Sequence, residues 1–249
     1  MFKLAIPKTT KRPQLTTRLA GEFSQNGSAG YVNQLRCNQT EESTPMPLAK
    51  IQVPADLNKR PFSEPSENAI DQAHEAIERF MLADVHFFDN FVNCDFHLVD
   101  QAISWVVESH LMAGNRFLEF GSGFGAATIL ASIHGMEAAG IEIEQPLVDE
   151  ANQLADQLGV KADFYCGSFV PRDIEGYADL AAEVEHVDTS AGEVYEQMDS
   201  SIADFDLVFA FPWPGENGFF ESVFERTAAQ GALFMTYNGI EGIHLHRKE

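Results

Sequence analysis

The chain has 249 residues, 45% of them hydrophobic and twenty of them phenylalanine, with a formal net charge of −22. That is enough apolar material for one large domain with extensions, and too much for a disordered chain. The charge is uneven: residues 1–60 hold nine Lys and Arg against four acids, leaving a net of −27 on the other 189 residues. A body this acidic repels phosphate backbones and disfavours a nucleic-acid partner, while suiting solubility or a salty cytoplasm. Cys37, Cys94 and Cys166 show neither metal-ligand spacing nor a pairing pattern, which fits a reducing compartment. Met1–Pro7 opens no signal-peptide core, and no stretch nears the ~18 apolar residues of a membrane span. A cytoplasmic protein with no membrane partner is expected; composition does not set its oligomeric state.

Residues 1–62 are rich in Thr, Gln, Asn, Pro and Ser without strand or helix periodicity, and read as an irregular or wrapping arm. Residues 63–113 read as a helical cap or lid. Ala69, Ile70, Ala73, Ile77, Phe80 and Met81 form one stripe, and a second helix from about His97 to Met112 closes at Gly114. Residues 114–249 then alternate strands and helices, the pattern of a parallel sheet with crossover helices. Strands are predicted at Arg116–Phe120, Glu137–Ile143, Ala162–Cys166, Phe205–Phe209 and Ala232–Tyr237. Helices are predicted at Ala126–His134, Pro146–Leu158, near Tyr177–Val187 and at Phe219–Ala229. After Asn238-Gly239 a short run, Ile243–His246, follows a turn too tight for a crossover, so it should lie antiparallel beside the preceding strand.

The most informative segment is Arg116-Phe117-Leu118-Glu119-Phe120-Gly121-Ser122-Gly123-Phe124-Gly125. It reads as a buried strand ending in a carboxylate, then a glycine turn against which a ligand can lie, then a helix. Glu142 and Glu144 follow one helix and one strand later, a spacing that suits an acid holding two ribose hydroxyls. Gly121-Ser122-Gly123-Phe124-Gly125-Ala126 also satisfies the looser dinucleotide pattern, but a carboxylate at Glu119 would repel a diphosphate and suit a cation.

In this ordered set the chain resembles the class I (Rossmann-like) S-adenosylmethionine-dependent methyltransferases, over roughly residues 97–246. The resemblance implies an α/β, doubly wound, mostly parallel sheet of order 3-2-1-4-5, counted from Arg116–Phe120, plus one antiparallel C-terminal edge strand. Residues 114–249 would be the S-adenosylmethionine-binding domain, and methyl transfer the activity. Matched residue by residue, Glu119, Gly121, Ser122, Gly123 and Gly125 fall on the motif that holds the amino-acid end of the cofactor. Glu142 and Ile143 fall on the ribose-binding strand end. Gly167 and Ser168 fall where the family often has Gly-Asp beside the adenine, with serine in place of the acid. Phe211, the last of the implied cofactor-binding residues, opens the loop after the fourth strand, where the acceptor docks. That loop reads Phe211-Pro212-Trp213-Pro214, without the amide or carboxylate that amine methylation uses at Phe211.

No catalytic residue is fixed by the pattern; the candidates are Phe211, Trp213 and Glu216, the last read as a surface residue ahead of a helix. Asp84, His86, Asp89, Asp95 and His97 form a loose cluster without metal-ligand spacing, and no metal is expected. His244 and His246 share one strand face and read as exposed. The methyl acceptor, a small molecule or a protein, is not named by the sequence. Two other readings stay open: a catalytically inactive binding or scaffold protein on the same fold, and a nicotinamide-nucleotide-dependent enzyme.

Overall fold

Runs of apolar residues buried on both faces mark the centre of a parallel sheet. Arg116–Phe120 (β2), Glu137–Glu142 (β3), Leu207–Ala210 (β5) and Leu233–Tyr237 (β6) are such runs, buried along nearly their whole length. In the computed structural model, which describes residues 48–83, 94–171, 174, 184, 187 and 194–249, they join Leu48–Ile51 (β1), Ala162–Cys166 (β4) and Ile243–Lys248 (β7). The seven-stranded sheet has the order β1-β7-β6-β5-β2-β3-β4. Five neighbouring strands, β4-β3-β2-β5-β6, are parallel, and β7 runs antiparallel to β6. Counted from β2, this is the predicted order 3-2-1-4-5 with one reversed strand, a Rossmann-like sheet.

The reversed strand does not form the rim. Leu48–Ile51, within the segment read as an irregular arm, pairs antiparallel with β7 from Leu48–Lys248 to Ile51–Leu245. β7 is longer than predicted because this partner satisfies its second edge.

Among the described residues six α-helices flank the sheet: Glu64–Ala83 (α1), Phe96–Glu108 (α2), Ala126–Ile133 (α3), Gln145–Leu158 (α4), Val194–Gln197 (α5) and Asn217–Thr227 (α6). Strand alternation sorts the core into two layers. Phe117, Leu207, Phe209, Leu233 and Met235 pack under α1–α4, whereas Leu118, Phe120, Val208, Ala210 and Phe234 meet α5 and α6. α1 and α2, predicted as a cap, bury their apolar stripes in the same layer as α3. α2 stops at Glu108, short of the predicted Met112, because His110 takes a left-handed φ of 51°. Gly114 serves elsewhere: its N–H donates to Asp206 at 2.9 Å, and a Cβ there would meet that carboxylate at 2.5 Å. The helix predicted near Tyr177–Val187 lies outside the described residues, apart from buried Val184 and Val187.

Candidate functional site

The strand order reverses between β2 and β5, since the chain passes from β2 outward to β3 and β4 and returns as β5. Ligands of open α/β sheets bind at the carboxyl ends of the strands beside such a switch point. The register pairs Phe120 with both Ile141 and Ala210, Glu142 with Cys166, and Ala210 with Thr236. One residue further along, Cys166, Glu142, Gly121, Phe211 and Tyr237 fall in one row across five strands, with neighbours spaced roughly 4.8 Å apart. The predicted cofactor residues and the predicted acceptor loop are thereby brought to one sheet edge.

In the glycine turn, Gly121, Gly123 and Gly125 all have positive φ, at 71°, 54° and 73°. Their surroundings differ. A Cβ on Gly121 would meet nothing within 4 Å, whereas one on Gly125 would collide with the Phe164 ring and Ala151. Gly125 is therefore the close contact that seats α3 against α4 and β4, and Gly121 is the open floor. Phe124 pins the turn from below, its ring edge-on to Phe80 of α1 with centroids 5.4 Å apart.

The turn spends its donors inward. The N–H groups of Gly121 and Ser122 both donate to the Ile141 carbonyl at 2.9 Å, and that of Gly125 to the Ser122 carbonyl at 2.8 Å. Gly123 N–H donates to Glu142 Oε2 at 2.8 Å. Thr128, three residues into α3, gives its N–H and its hydroxyl to Glu119 Oε2 at 3.0 and 2.6 Å. The buried Ser122 hydroxyl finds no partner among the described residues. Glu119 is 1% exposed, and burial pushes its carboxyl up to about 8, the Thr128 donors offsetting only part of that cost. Glu142 is also buried and raised by desolvation, against the N–H groups of Gly123, Glu144 and Ile143, which favour its charge.

Beside Glu142, Ile143 is 36% exposed, an apolar side chain at the strand end where a flat base could lie. Gly167 N–H donates to the Glu142 carbonyl at 2.9 Å, tying the β4 exit to the acid. Ser168 is buried and its hydroxyl accepts from Val170 N–H at 3.2 Å, so it shapes the loop. Cys94 and Cys166 are both free thiols.

On the other side of the switch point, a cavity of about 480 Å³ opens between the β5–α6 loop and the β6–β7 connection. Phe211, Trp213, Asn217, Asn238, Ile240 and Glu241 line it, with Pro212 and Pro214 stiffening one wall. Phe211 is buried against the Tyr237 ring, centroids 5.0 Å apart. Glu216 is 6% exposed, contrary to its reading as a surface residue, because the loop folds it in ahead of α6. Asn217, Asn238, Ile240 and Glu241 were not singled out by sequence reasoning. They come from two connections far apart in the chain, and only the parallel pairing of β5 with β6 makes them neighbours.

Asp95 caps α2 through Leu98 N–H, and His97 stands edge-on to Phe62, so these two have packing roles; Asp84, His86 and Asp89 lie outside the described residues. Among the described residues no three His, Cys, Asp or Glu side chains gather as metal ligands. His244 and His246 are half-buried rather than exposed, and His244 Nδ1 lies 2.9 Å from the Asn238 amide.

These residues fit S-adenosylmethionine. An open glycine floor without a Cβ at Gly121, an inward-facing acid at Glu119, a second acid at Glu142 and exposed Ile143 offer contacts for an ammonium, a ribose and a base. A diphosphate fits poorly, since the N–H groups of Gly121, Ser122, Gly123 and Gly125 are already spent and two acidic side chains stand beside the turn.

No protein-family model matches the chain, and no curated protein does. Solved structures resemble it distantly. A chain from a structure on the conversion of a disulfide bond into a thioacetal group during echinomycin biosynthesis has 17% identity and a TM-score of 0.36, over 54% of this chain and 47% of that one. This chain thus spans about half of that protein's length. An RNA methyltransferase from Salinibacter ruber, in complex with S-adenosyl-L-homocysteine, has 18% identity and a TM-score of 0.42, over 63% and 92%. A methyltransferase from Geobacter sulfurreducens has 13% identity and a TM-score of 0.44, over 76% and 93%. The functional reading rests on the chain's own residues.

Proposed function

We propose that this chain is an S-adenosylmethionine-dependent methyltransferase. One observation carries the reading: the glycine turn points the N–H groups of Gly121, Ser122, Gly123 and Gly125 into the protein and leaves two buried acids beside the ligand floor. Such a site rewards a cationic ligand and penalises a diphosphate, which separates this cofactor from nicotinamide nucleotides. Glu119 would hold the ammonium, Gly121 would let the ligand lie on the backbone, and Glu142 would hold the ribose hydroxyls. When bound, the cofactor supplies an activated methyl group that passes to an acceptor lone pair. The chain's own task is then to position the acceptor and exclude water, which the Phe211–Pro214 wall and the neighbouring cavity suit. No loud catalytic triad is needed for that work. A cytoplasmic setting and a small-molecule acceptor belong to the same proposal, supported by the free thiols and the bounded cavity.

Isothermal titration with S-adenosylhomocysteine and with NADH tests the reading. Micromolar binding of the first, weakened ~10- to 100-fold in Glu119→Gln by loss of a charged hydrogen bond, is expected. Binding of NADH alone to a folded protein would overturn it.

A further inference from the structure

The cavity beside Phe211 has in its wall a side chain whose hydrogen bonding can reverse. Asn238, at the start of the β6–β7 connection, lines the cavity and is half-buried. Its Nδ2 turns inward, donating to Thr236 Oγ1 at 3.2 Å and lying 2.9 Å from His244 Nδ1. Its Oδ1 bonds nothing among the described residues and is not closed off, so the amide presents an oxygen outward. The two partners are cross-strand neighbours, since the register sets Thr236 of β6 opposite His244 of β7 on one face. On the far side of the ring, His244 Nε2 lies 3.7 Å from Oε2 of Glu241, a second residue of the cavity lining. That carboxylate favours the ring proton on Nε2, which leaves Nδ1 bare to accept from the amide.

We infer that the protonation state of His244 sets, through Asn238, whether the cavity wall offers a ligand a hydrogen-bond acceptor or a donor. Histidine is the side chain that changes charge between about pH 5 and 8. The proton gained on acidification goes to Nδ1, the atom that faces Asn238. Two donors would then meet, and a half-turn of the amide relieves them. Oδ1 accepts from His244 Nδ1–H and from the Thr236 hydroxyl, and Nδ2 is left to the cavity. Because that hydroxyl can accept in one arrangement and donate in the other, both are satisfied. The backbone need not move, since Asn238 N–H is tied to the Gly242 carbonyl at 2.9 Å. Charge works in the same direction. An imidazolium beside Glu241 offsets the one charged group among the described lining residues, so acceptor-bearing ligands gain as pH falls and donor-bearing ones as it rises. The other neighbours do not oppose this. His246, two residues on along β7, is held below its ordinary value by burial, with Glu221 of α6 and Lys50 of β1 beside it. As selectivity for a methyl acceptor the inference rests on the methyltransferase reading; the switch itself belongs to the cofactor-free chain.

Heteronuclear NMR of the labelled full chain, followed from about pH 5 to 8, tests the switch. Neutral His244 should carry its proton on Nε2, the added proton should appear on Nδ1, and the Asn238 side-chain signals should move with the same midpoint. His244→Gln, which does not titrate, should hold the Asn238 signals still, whereas His246→Gln should leave them moving. A neutral His244 protonated on Nδ1, or Asn238 signals indifferent to it, overturns the inference. Indole and N-methylindole then read the consequence, since they differ in one N–H. Above the transition indole should bind ~3- to 10-fold more tightly, the gain of one hydrogen bond, and below it the preference should vanish. Acetylnaphthalene against ethylnaphthalene, a pair differing in an acceptor, should show the opposite trend. Asn238→Ala should abolish both preferences at every pH while leaving N-methylindole and ethylnaphthalene unchanged; a merely structural role would weaken all four together and overturns the inference. So do preferences that ignore pH, absence of binding included. Probes that switch with pH in a protein that ignores S-adenosylhomocysteine would uphold the switch and overturn methyl transfer. Cofactor binding with no switch would overturn only the switch.

Discussion

Glu119 is the most consequential side chain because it is an acid held where water cannot reach it. Burial pushes it up to about 8, while an unfolded glutamate titrates near ~4.3. Between those values the folded form keeps a proton that the unfolded form has released. Stability contributed by this group therefore falls as pH rises through the window, by up to ~1.4 kcal/mol per pH unit. Glutamine keeps an oxygen for Thr128 without the ionisation. Urea denaturation from about pH 5 to 8 should show Glu119→Gln gaining on the wild type as pH rises, and parallel curves would refute the account. A bound ammonium needs the ionised acid, so S-adenosylhomocysteine should release a proton near neutral pH. Its binding enthalpy should then differ between phosphate and Tris by the difference in their ionisation heats.

The β2–α3 connection shows how one turn divides structure from recognition. Gly125 has positive φ and a filled neighbourhood; Gly121 has positive φ and open space. Gly125→Ala should cost roughly 2–5 kcal/mol, a left-handed penalty of ~1–2 plus ~1–3 for overpacking against Phe164, with loss of melting temperature. Gly121→Ala should cost only the ~1–2 kcal/mol of backbone strain yet weaken S-adenosylhomocysteine by tenfold or more, because its methyl occupies the ligand floor. Calorimetry paired with thermal melts separates the two, and equal losses of stability and affinity in both variants would refute the division. The glycines were legible in the sequence because a strand, a carboxylate and a helix frame them locally. So were β2–β6, whose unbroken apolar character depends on burial of both faces. β1 was not legible, since Leu48–Ile51 is strand only by virtue of the β7 edge it meets. Nor was the inward use of Glu142, whose bond to Gly123 spans two elements, nor the cavity that Asn217 and Asn238 line, which arises only across the β5–β6 pairing.

For the whole molecule the dominant fact is 38 acids against 16 Lys and Arg. With so few cations, ion pairs cannot neutralise the surface; among the described residues Arg60 meets Glu108 and Arg79 meets Glu150, each pair with one partner exposed to solvent. Such exposed pairs contribute ~0–1 kcal/mol each, so repulsion among the remaining acids outweighs them. Salt then acts in one direction. Raising ionic strength from about 0.01 M to 1 M shortens the screening length from about 30 Å to about 3 Å, which removes repulsion between acids on different elements. Thermal unfolding should shift upward by several degrees, about 1 kcal/mol moving the midpoint ~2–4 °C at this size. Potassium chloride is the suitable salt, because sulfate would also strengthen apolar burial and confound the reading. A falling midpoint would mean that attractive pairs govern stability.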